Sequence, residues 1–190
     1  MSDPKRSKKH KLFSPSNKHQ SFSDIKLIFE ERKEALRHFC ECDDVSYWIE
    51  FPQEVVEEFL ANHLQEAEYD ACLALFGAIE AAFRLDLFVR HKNRSKDPRS
   101  KAVRLMLKEL SRGDFDKDID LDKIIRLLAT DPSVSNSKQT INLLVVFFKY
   151  RNWLAHGRYW TLEKLGILKP PTFEEIYQLA EEIKIVLRES

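Results

Sequence analysis

The sequence predicts an all-α fold, a single-domain bundle of about five to seven helices. The chain of 190 residues contains only four glycines, which is too few for a fold rich in turns. Apolar residues recur at intervals of three and four along most of its length, the spacing of helices that bury one face. With 43% hydrophobic and 33% charged residues, the composition is typical of a globular domain with one core.

Charge divides the chain into two parts, although its formal net charge is zero. Residues 1–20 carry six basic side chains against a single acidic one, so we assign them to a basic N-terminal arm and residues 21–190 to the helical domain. The arm is interpreted either as a disordered tail or as an electrostatic contact for RNA phosphates. It contains no apolar stretch, and the three cysteines are an odd number, so we expect no secretory signal, reduced thiols and a cytoplasmic location.

Three helices are predicted in the first half of the domain. Ser23 is expected to cap the first, and Pro52 fits the first turn of a short second helix. The third, over residues 66–91, is apolar enough to lie in the core, which makes its charged residues Glu80 and Arg84 unusual. These two residues are one helical turn apart, and we interpret them either as a plain internal ion pair or as groups that face a functional site.

A basic connector follows the third helix. Its basic residues are Lys92, Arg94, Lys96, Arg99, Lys101 and Arg104. Such a run is either a solvated loop or, where it borders a nucleic-acid site, a track for the RNA backbone. Short helices are then predicted around residues 105–110 and 124–128, and the last predicted element is an amphipathic helix over residues 173–187.

The most apolar stretch of the sequence, residues 141–148, predicts a central helix. Its pattern leaves no solvated side at helical or strand spacing, continues through Trp153 and Leu154, and stops at Gly157. We therefore expect protein to surround this helix on all sides. It is too short, and too charged at its end, to cross a bilayer.

A polar cluster formed by Arg151, Asn152 and His156 ends this helix. On an ideal helix Asn152 and His156 share a face, so the Asn152 amide is predicted to hold one imidazole nitrogen and fix the tautomer of His156. Arg151 lies about 140° from His156 around the axis, and its long side chain offers a charged fork suited to phosphate. An arginine that binds phosphate and a histidine that moves a proton are the minimum needed to cleave RNA without a metal.

This segment resembles the HEPN superfamily (higher eukaryotes and prokaryotes nucleotide-binding domains), whose motif is an arginine, usually a polar residue after it, and then a histidine. Arg151, Asn152 and His156 match that motif. The resemblance implies a helical bundle and a metal-independent endoribonuclease of a toxin–antitoxin, phage-defence or RNA-processing system. Arg151, His156 and Asn152 would then be catalytic, and Glu80 and Arg84 are the candidates for the charged residues that often face the motif from a neighbouring helix.

The resemblance also implies partners and further site residues. RNA is the expected substrate, a homodimer is expected to bring two motifs to one cleft, and an antitoxin or a nucleotidyltransferase is the expected regulator. In some toxin systems a tyrosine two residues after the histidine is modified, but here that position is Arg158 and the tyrosine is Tyr159. Tyr159 is therefore interpreted either as modifiable or substrate-contacting, or as a packing residue. Arg158 is expected to add phosphate affinity, as are Lys92 and Arg94.

Two other interpretations stay open. Arg151 and His156 could merely cap and decorate a buried helix, which would be favoured if other residues sealed both side chains. The chain could also be a non-catalytic HEPN-like module that binds nucleotide, RNA or a partner protein. No cofactor or metal is expected in any of these cases, because the sequence has no glycine-rich phosphate loop and Cys40 and Cys42 point to opposite sides of a helix.

Overall fold

Every regular element in the described part of the chain is helical, which confirms the all-α bundle. The computed structural model describes residues 18–41, 48, 50–93, 96–110, 121–129, 138–158 and 161–189. Within these ranges the α-helices are α1 (Phe22–Glu41), α2 (Gln53–Asn93), α3 (Pro98–Leu110), α4 (Leu121–Ala129), α5 (Lys138–Ala155) and α6 (Phe173–Glu189). A short 3-10 helix, Leu162–Leu165, lies between α5 and α6. Nearly all of the basic N-terminal arm lies outside the described residues.

The second and third predicted helices form one continuous helix, α2, of 41 residues. The prediction of two helices was wrong because the sequence between Leu60 and Glu66 contains neither proline nor glycine, so nothing ends the helix there. What changes at this point is burial. Before Ala67 nearly every residue of α2 is exposed or half-buried, whereas the following stretch supplies most of its core residues.

The first helix begins two residues earlier than predicted, because its cap is Ser21 and not Ser23. The Asp24 backbone N–H donates to Ser21 Oγ at 3.1 Å, and the Ser21 N–H donates to Asp24 Oδ2 at 3.2 Å. This reciprocal pair satisfies two backbone donors at the start of the helix. Phe22, the first residue of α1, is then buried against the core.

The core lies along one side of α2, which packs against α1, α3, α5 and α6. Its fully buried members on α2 include Leu75, Phe76 and Ile79, and α6 adds Ile176 and Ile183. These residues form a single hydrophobic cluster, as the sequence composition predicts. Among the described helices, none has an apolar stretch long enough to span a membrane.

One side of α5 is exposed, contrary to the prediction that protein surrounds it. Ile141, Leu144, Phe147, Tyr150 and Leu154 are buried at helical spacing, as on an ordinary amphipathic helix. The apolar residues between them remain at the surface, with 44% of Leu143, 36% of Val145 and 39% of Val146 exposed. The role of central helix therefore belongs to α2, and α5 keeps part of its apolar surface exposed.

Charged residues are buried where α2 turns into α3. Asp86 accepts hydrogen bonds from Arg90 Nε at 2.9 Å and from Arg99 Nη2 at 2.8 Å. Asp97 accepts from the Ser100 backbone N–H at 2.8 Å and from Arg90 Nη1 at 3.4 Å. Burial raises the pKa of Asp86, whereas Arg99 and Arg90 act to lower it. Arg99 is therefore a buried structural residue and does not belong to a solvated basic track.

Removal of the Asp86 carboxylate tests this buried network. Asp86→Ala is expected to lower the free energy of unfolding by about 3–5 kcal/mol, because two buried arginines lose the carboxylate they share. On the same helix, Asp70→Ala breaks an exposed ion pair with Arg32 and is expected to cost less than about 1 kcal/mol. Denaturant unfolding of both variants and the parent protein measures the difference. Equal losses would mean that the Asp86 network matters no more than a surface pair.

Candidate functional site

The end of α5 has a defined geometry that sets the position of His156. Gly157 has a φ of 80°, and the backbone N–H of Arg158 donates to the Trp153 carbonyl at 3.1 Å, which closes a Schellman motif. The His156 N–H still donates to the Asn152 carbonyl at 3.1 Å. Helical spacing therefore extends to His156, and Asn152 and His156 lie one turn apart on the same exposed side of α5.

The glycine at the helix end and a glycine within a helix give a matched test of this geometry. Gly157→Ala is expected to lower the free energy of unfolding by about 1 kcal/mol, because an L side chain is strained at positive φ. Gly77→Ala is expected to raise it by up to about 1 kcal/mol, because alanine favours a helix interior. A Cβ at either position meets nothing within 4 Å, so steric clashes do not obscure the comparison. Thermal and denaturant unfolding measure both; stabilisation by Gly157→Ala would contradict the helix stop.

Arg151 is held by a neighbour on its own helix and lies near a residue of α2. Its Nη1 donates to Asn152 Oδ1 at 3.2 Å, and its Nη2 lies 3.8 Å from Glu80 Oε2. The Asn152 amide oxygen is therefore used by the arginine, which differs from the predicted bond to the histidine. With 37% of its side chain exposed, Arg151 is not sealed beneath other residues.

Glu80 also binds Arg84, so Arg84 is linked to the Arg151 motif through Glu80. Arg84 Nε and Nη2 donate to Glu80 Oε1 at 2.9 Å and 2.6 Å. Glu80 thus lies between two guanidinium groups and offers them a single negative charge. The sequence left two interpretations of these residues, an internal ion pair and groups that face the motif. Glu80 makes both kinds of contact.

The His156 imidazole is open to solvent. The residue is exposed, and its ring makes no hydrogen bond to any other residue in the described ranges. An exposed imidazole is accessible to a substrate hydroxyl group, the first requirement for a general base. Arg151 and His156 are not buried. Burial of both side chains would have favoured a purely structural role.

Arg158 contacts α2 at a different place from Glu80. Its Nη1 forms an ion pair with Glu66 Oε1 at 2.6 Å, and its guanidinium lies 4.8 Å from the centre of the Tyr69 ring. The bond to Glu66 raises the pKa of Arg158. Glu66 and Glu80 are fourteen positions apart, which corresponds to about 20 Å along the axis of α2. Arg158 therefore fixes the chain beyond α5 to α2.

Glu66 and Tyr69 are neighbours of Arg158 that the sequence did not indicate. They are three positions apart on α2 and so share the face that receives Arg158. Glu66 is separated from Arg158 by 92 positions in the chain. No local spacing links residues at such a distance, and only the packing of α5 on α2 brings them together.

The remaining predicted substrate-binding residues are not at the Arg151 motif or are not described. Lys92 is exposed near the end of α2, twelve positions and about 18 Å along the axis from Glu80. Arg94 and Tyr159 lie outside the described residues, so their predicted roles stay predictions. The cavity of about 620 Å³ between α1, α2 and the start of α6 is lined by other residues and includes none of the motif.

Thiol chemistry and metal binding find no support in the described residues. Cys72 is fully buried, and burial raises its pKa to about 12, so its thiol is protonated at neutral pH. Burial also raises the pKa of Cys40. Across the described ranges, no three His, Cys, Asp or Glu side chains lie close enough together to hold a metal ion.

Comparisons of the chain with protein-family models, curated proteins and solved structures give no match. The chemistry of Arg151, Asn152 and His156, together with Glu80 and Arg84, therefore carries the functional conclusion.

Proposed function

We propose that the chain is a metal-independent endoribonuclease of the HEPN type, acting in a toxin–antitoxin or phage-defence system. The observation that carries the proposal is the accessibility of both key groups, a partly exposed guanidinium on Arg151 and an open imidazole on His156. Both residues lie at the C-terminal end of α5, where the helix and its glycine stop fix the positions of their backbones. A cationic group for the phosphate and an imidazole for proton transfer are what phosphate chemistry without a metal requires.

The reaction follows from the two side chains. The His156 imidazole removes the proton of the RNA 2′-hydroxyl, and the 2′-oxygen attacks the adjacent phosphorus. Arg151 stabilises the added negative charge of the phosphorane. The bond from phosphorus to the 5′-oxygen then breaks, and an imidazolium returns a proton to that oxygen. The products are a 2′,3′-cyclic phosphate and a 5′-hydroxyl end.

Cleavage of RNA in the presence of a chelator tests the reaction. His156→Ala and Arg151→Ala are each expected to lower the cleavage rate by about 100-fold or more, because each removes a group that acts in the transition state. His38→Ala, which removes an exposed histidine from α1, is the matched control and should leave the rate unchanged. A substrate with a 2′-deoxy sugar at the cleavage site should not be cleaved, because it lacks the attacking 2′-hydroxyl group. Cleavage that needs a divalent metal, or that survives His156→Ala, would refute the mechanism.

We propose further that the active form is a homodimer, because one copy supplies an incomplete site. Arg151 and His156 are separated by about 140° around α5, and Arg151 lies on the side facing Glu80. A twofold axis would place two copies of each group around one phosphate and would supply the second histidine. The exposed apolar residues of α5 support this arrangement. Val145 is seven positions before Asn152 and eleven before His156, so all three share one side of the helix.

Charge placed in this apolar surface tests the dimer. Val145→Glu is expected to convert the dimer to a monomer and to abolish cleavage, because a carboxylate would be desolvated at the interface. Leu105→Glu on α3 is the control, since Leu105 is an exposed apolar residue on another helix. Light scattering at the assay concentration gives the mass. A monomeric parent protein with full activity would overturn the proposal.

A non-catalytic module that binds RNA, nucleotide or a partner protein is the second candidate. The observation that favours it is the absence of any bond between the His156 ring and the other described residues, since catalytic imidazoles are commonly held in one tautomer by a neighbour. RNA binding that depends on Arg151, without cleavage under any condition, would select this module. An antitoxin or a nucleotidyltransferase as regulator, and modification of Tyr159, remain predictions of the resemblance.

A further inference from the structure

The side chains of Arg84, Glu80 and Arg151 form a charge chain from α2 to α5. Arg84 approaches Glu80 Oε1 at 2.6 Å and 2.9 Å, and Arg151 approaches Glu80 Oε2 at 3.8 Å. The first two contacts have the length of strong hydrogen bonds between charged groups, whereas the third is longer than a hydrogen bond. Glu80 is thus bound to one arginine and merely adjacent to the other.

The unequal distances decide which arginine the carboxylate neutralises. The attraction between two charges falls with their separation, and the short contacts with Arg84 are made by two N–H groups. Glu80 therefore interacts more strongly with Arg84 than with Arg151, and the Arg151 guanidinium is less fully paired than it would be in a close ion pair. The three residues together carry a net charge of one positive unit.

We propose that Arg84 is a positioning residue that holds Glu80 away from Arg151 and thereby keeps Arg151 available to an RNA phosphate. This inference rests on the proposed function of Arg151. Without Arg84, Glu80 would be free to turn toward Arg151 and form a close ion pair with it. The phosphate would then compete with an internal carboxylate for the same N–H groups.

A structural role alone would have different consequences. Glu80 and Arg84 are four positions apart in the order that stabilises a helix, so their pair also contributes to α2. Loss of that contribution would lower stability equally whether Arg84 or Glu80 were replaced. With a structural role alone, replacing Arg84 would change RNA binding by the same amount whether or not Glu80 and Arg151 were present.

A double-mutant cycle separates these roles. The quantity measured is the binding of a 2′-O-methyl RNA oligonucleotide, which cannot be cleaved through its 2′-oxygen. Arg84→Met is expected to weaken binding about threefold to fivefold, the size expected for a partly exposed ion pair. Arg84→Met combined with Glu80→Gln should return binding to the parent value, because no carboxylate is then able to form a close ion pair with Arg151. Glu80→Gln alone should bind at least as tightly as the parent.

Three controls accompany the cycle. Arg84→Lys keeps the charge and should stay close to the parent value. Arg32→Met also removes an arginine that is paired with a carboxylate of α2, and it should leave binding unchanged, which excludes a general effect of net charge. In an Arg151→Ala background, Arg84→Met should have no further effect, because its action passes through Arg151. Thermal unfolding of each variant reports on folding.

The outcomes distinguish a failure of the proposed site from a failure of this inference. If Arg151→Ala leaves binding unchanged, RNA does not use Arg151, and the proposed function falls together with the role of Arg84. If Arg151→Ala weakens binding but Glu80→Gln does not restore the Arg84→Met variant, the site stands and the role of Arg84 is refuted. If Arg84→Met does not fold, Glu80→Gln becomes the deciding variant. The role of Arg84 is then refuted if Glu80→Gln binds the RNA more weakly than both the parent protein and Arg84→Lys.

Discussion

The burial of one side of α2 is the constraint on which the rest of the structure depends. Most of the stability of a helix in a protein comes from the packing of its apolar face, and α2, about 60 Å long, packs against four other described helices. Its fully buried residues, among them Leu75, Phe76 and Ile79, each contribute roughly 1.5–3 kcal/mol when they are removed from water. Glu80 directly follows Ile79 in the chain. The packing that holds the core therefore also fixes the charged residue beside which Arg151 lies.

The sequence predicted the fold class well because helical spacing and scarce glycine are local properties that each segment carries by itself. It failed where the outcome depended on neighbours. The continuity of α2 past Leu60 was missed because a change from exposed to buried residues looks, in the sequence, like the end of one helix and the start of another. The surface of α5 was missed because an apolar run does not show which of its residues neighbouring helices will cover, and Leu143, Val145 and Val146 remain partly exposed.

The candidate site shows the same division between local and distant information. The relation between Asn152 and His156 follows from their spacing on one helix, and Gly157 marks the end of that helix in the sequence and in the structure. The partner of Asn152 was not predictable from spacing, because its oxygen accepts from the adjacent Arg151 and not from the residue one turn away. Arg158 appeared to be a phosphate ligand by position alone, yet its charge is paired with Glu66 from a distant part of the chain.

Two charged contacts near the end of α5 limit how this helix moves against α2. Arg151 lies beside Glu80 and Arg158 is bound to Glu66, so the two contacts are separated by about 20 Å, roughly a third of the length of α2. A sliding motion of one helical turn, about 5.4 Å, would break the contact with Glu66 and remove Arg151 from Glu80 at the same time. Rotation of α5 about its own axis would also disturb both. The polar end of α5 therefore has one longitudinal register on α2, and a ligand that binds there meets groups whose separation is set before it arrives.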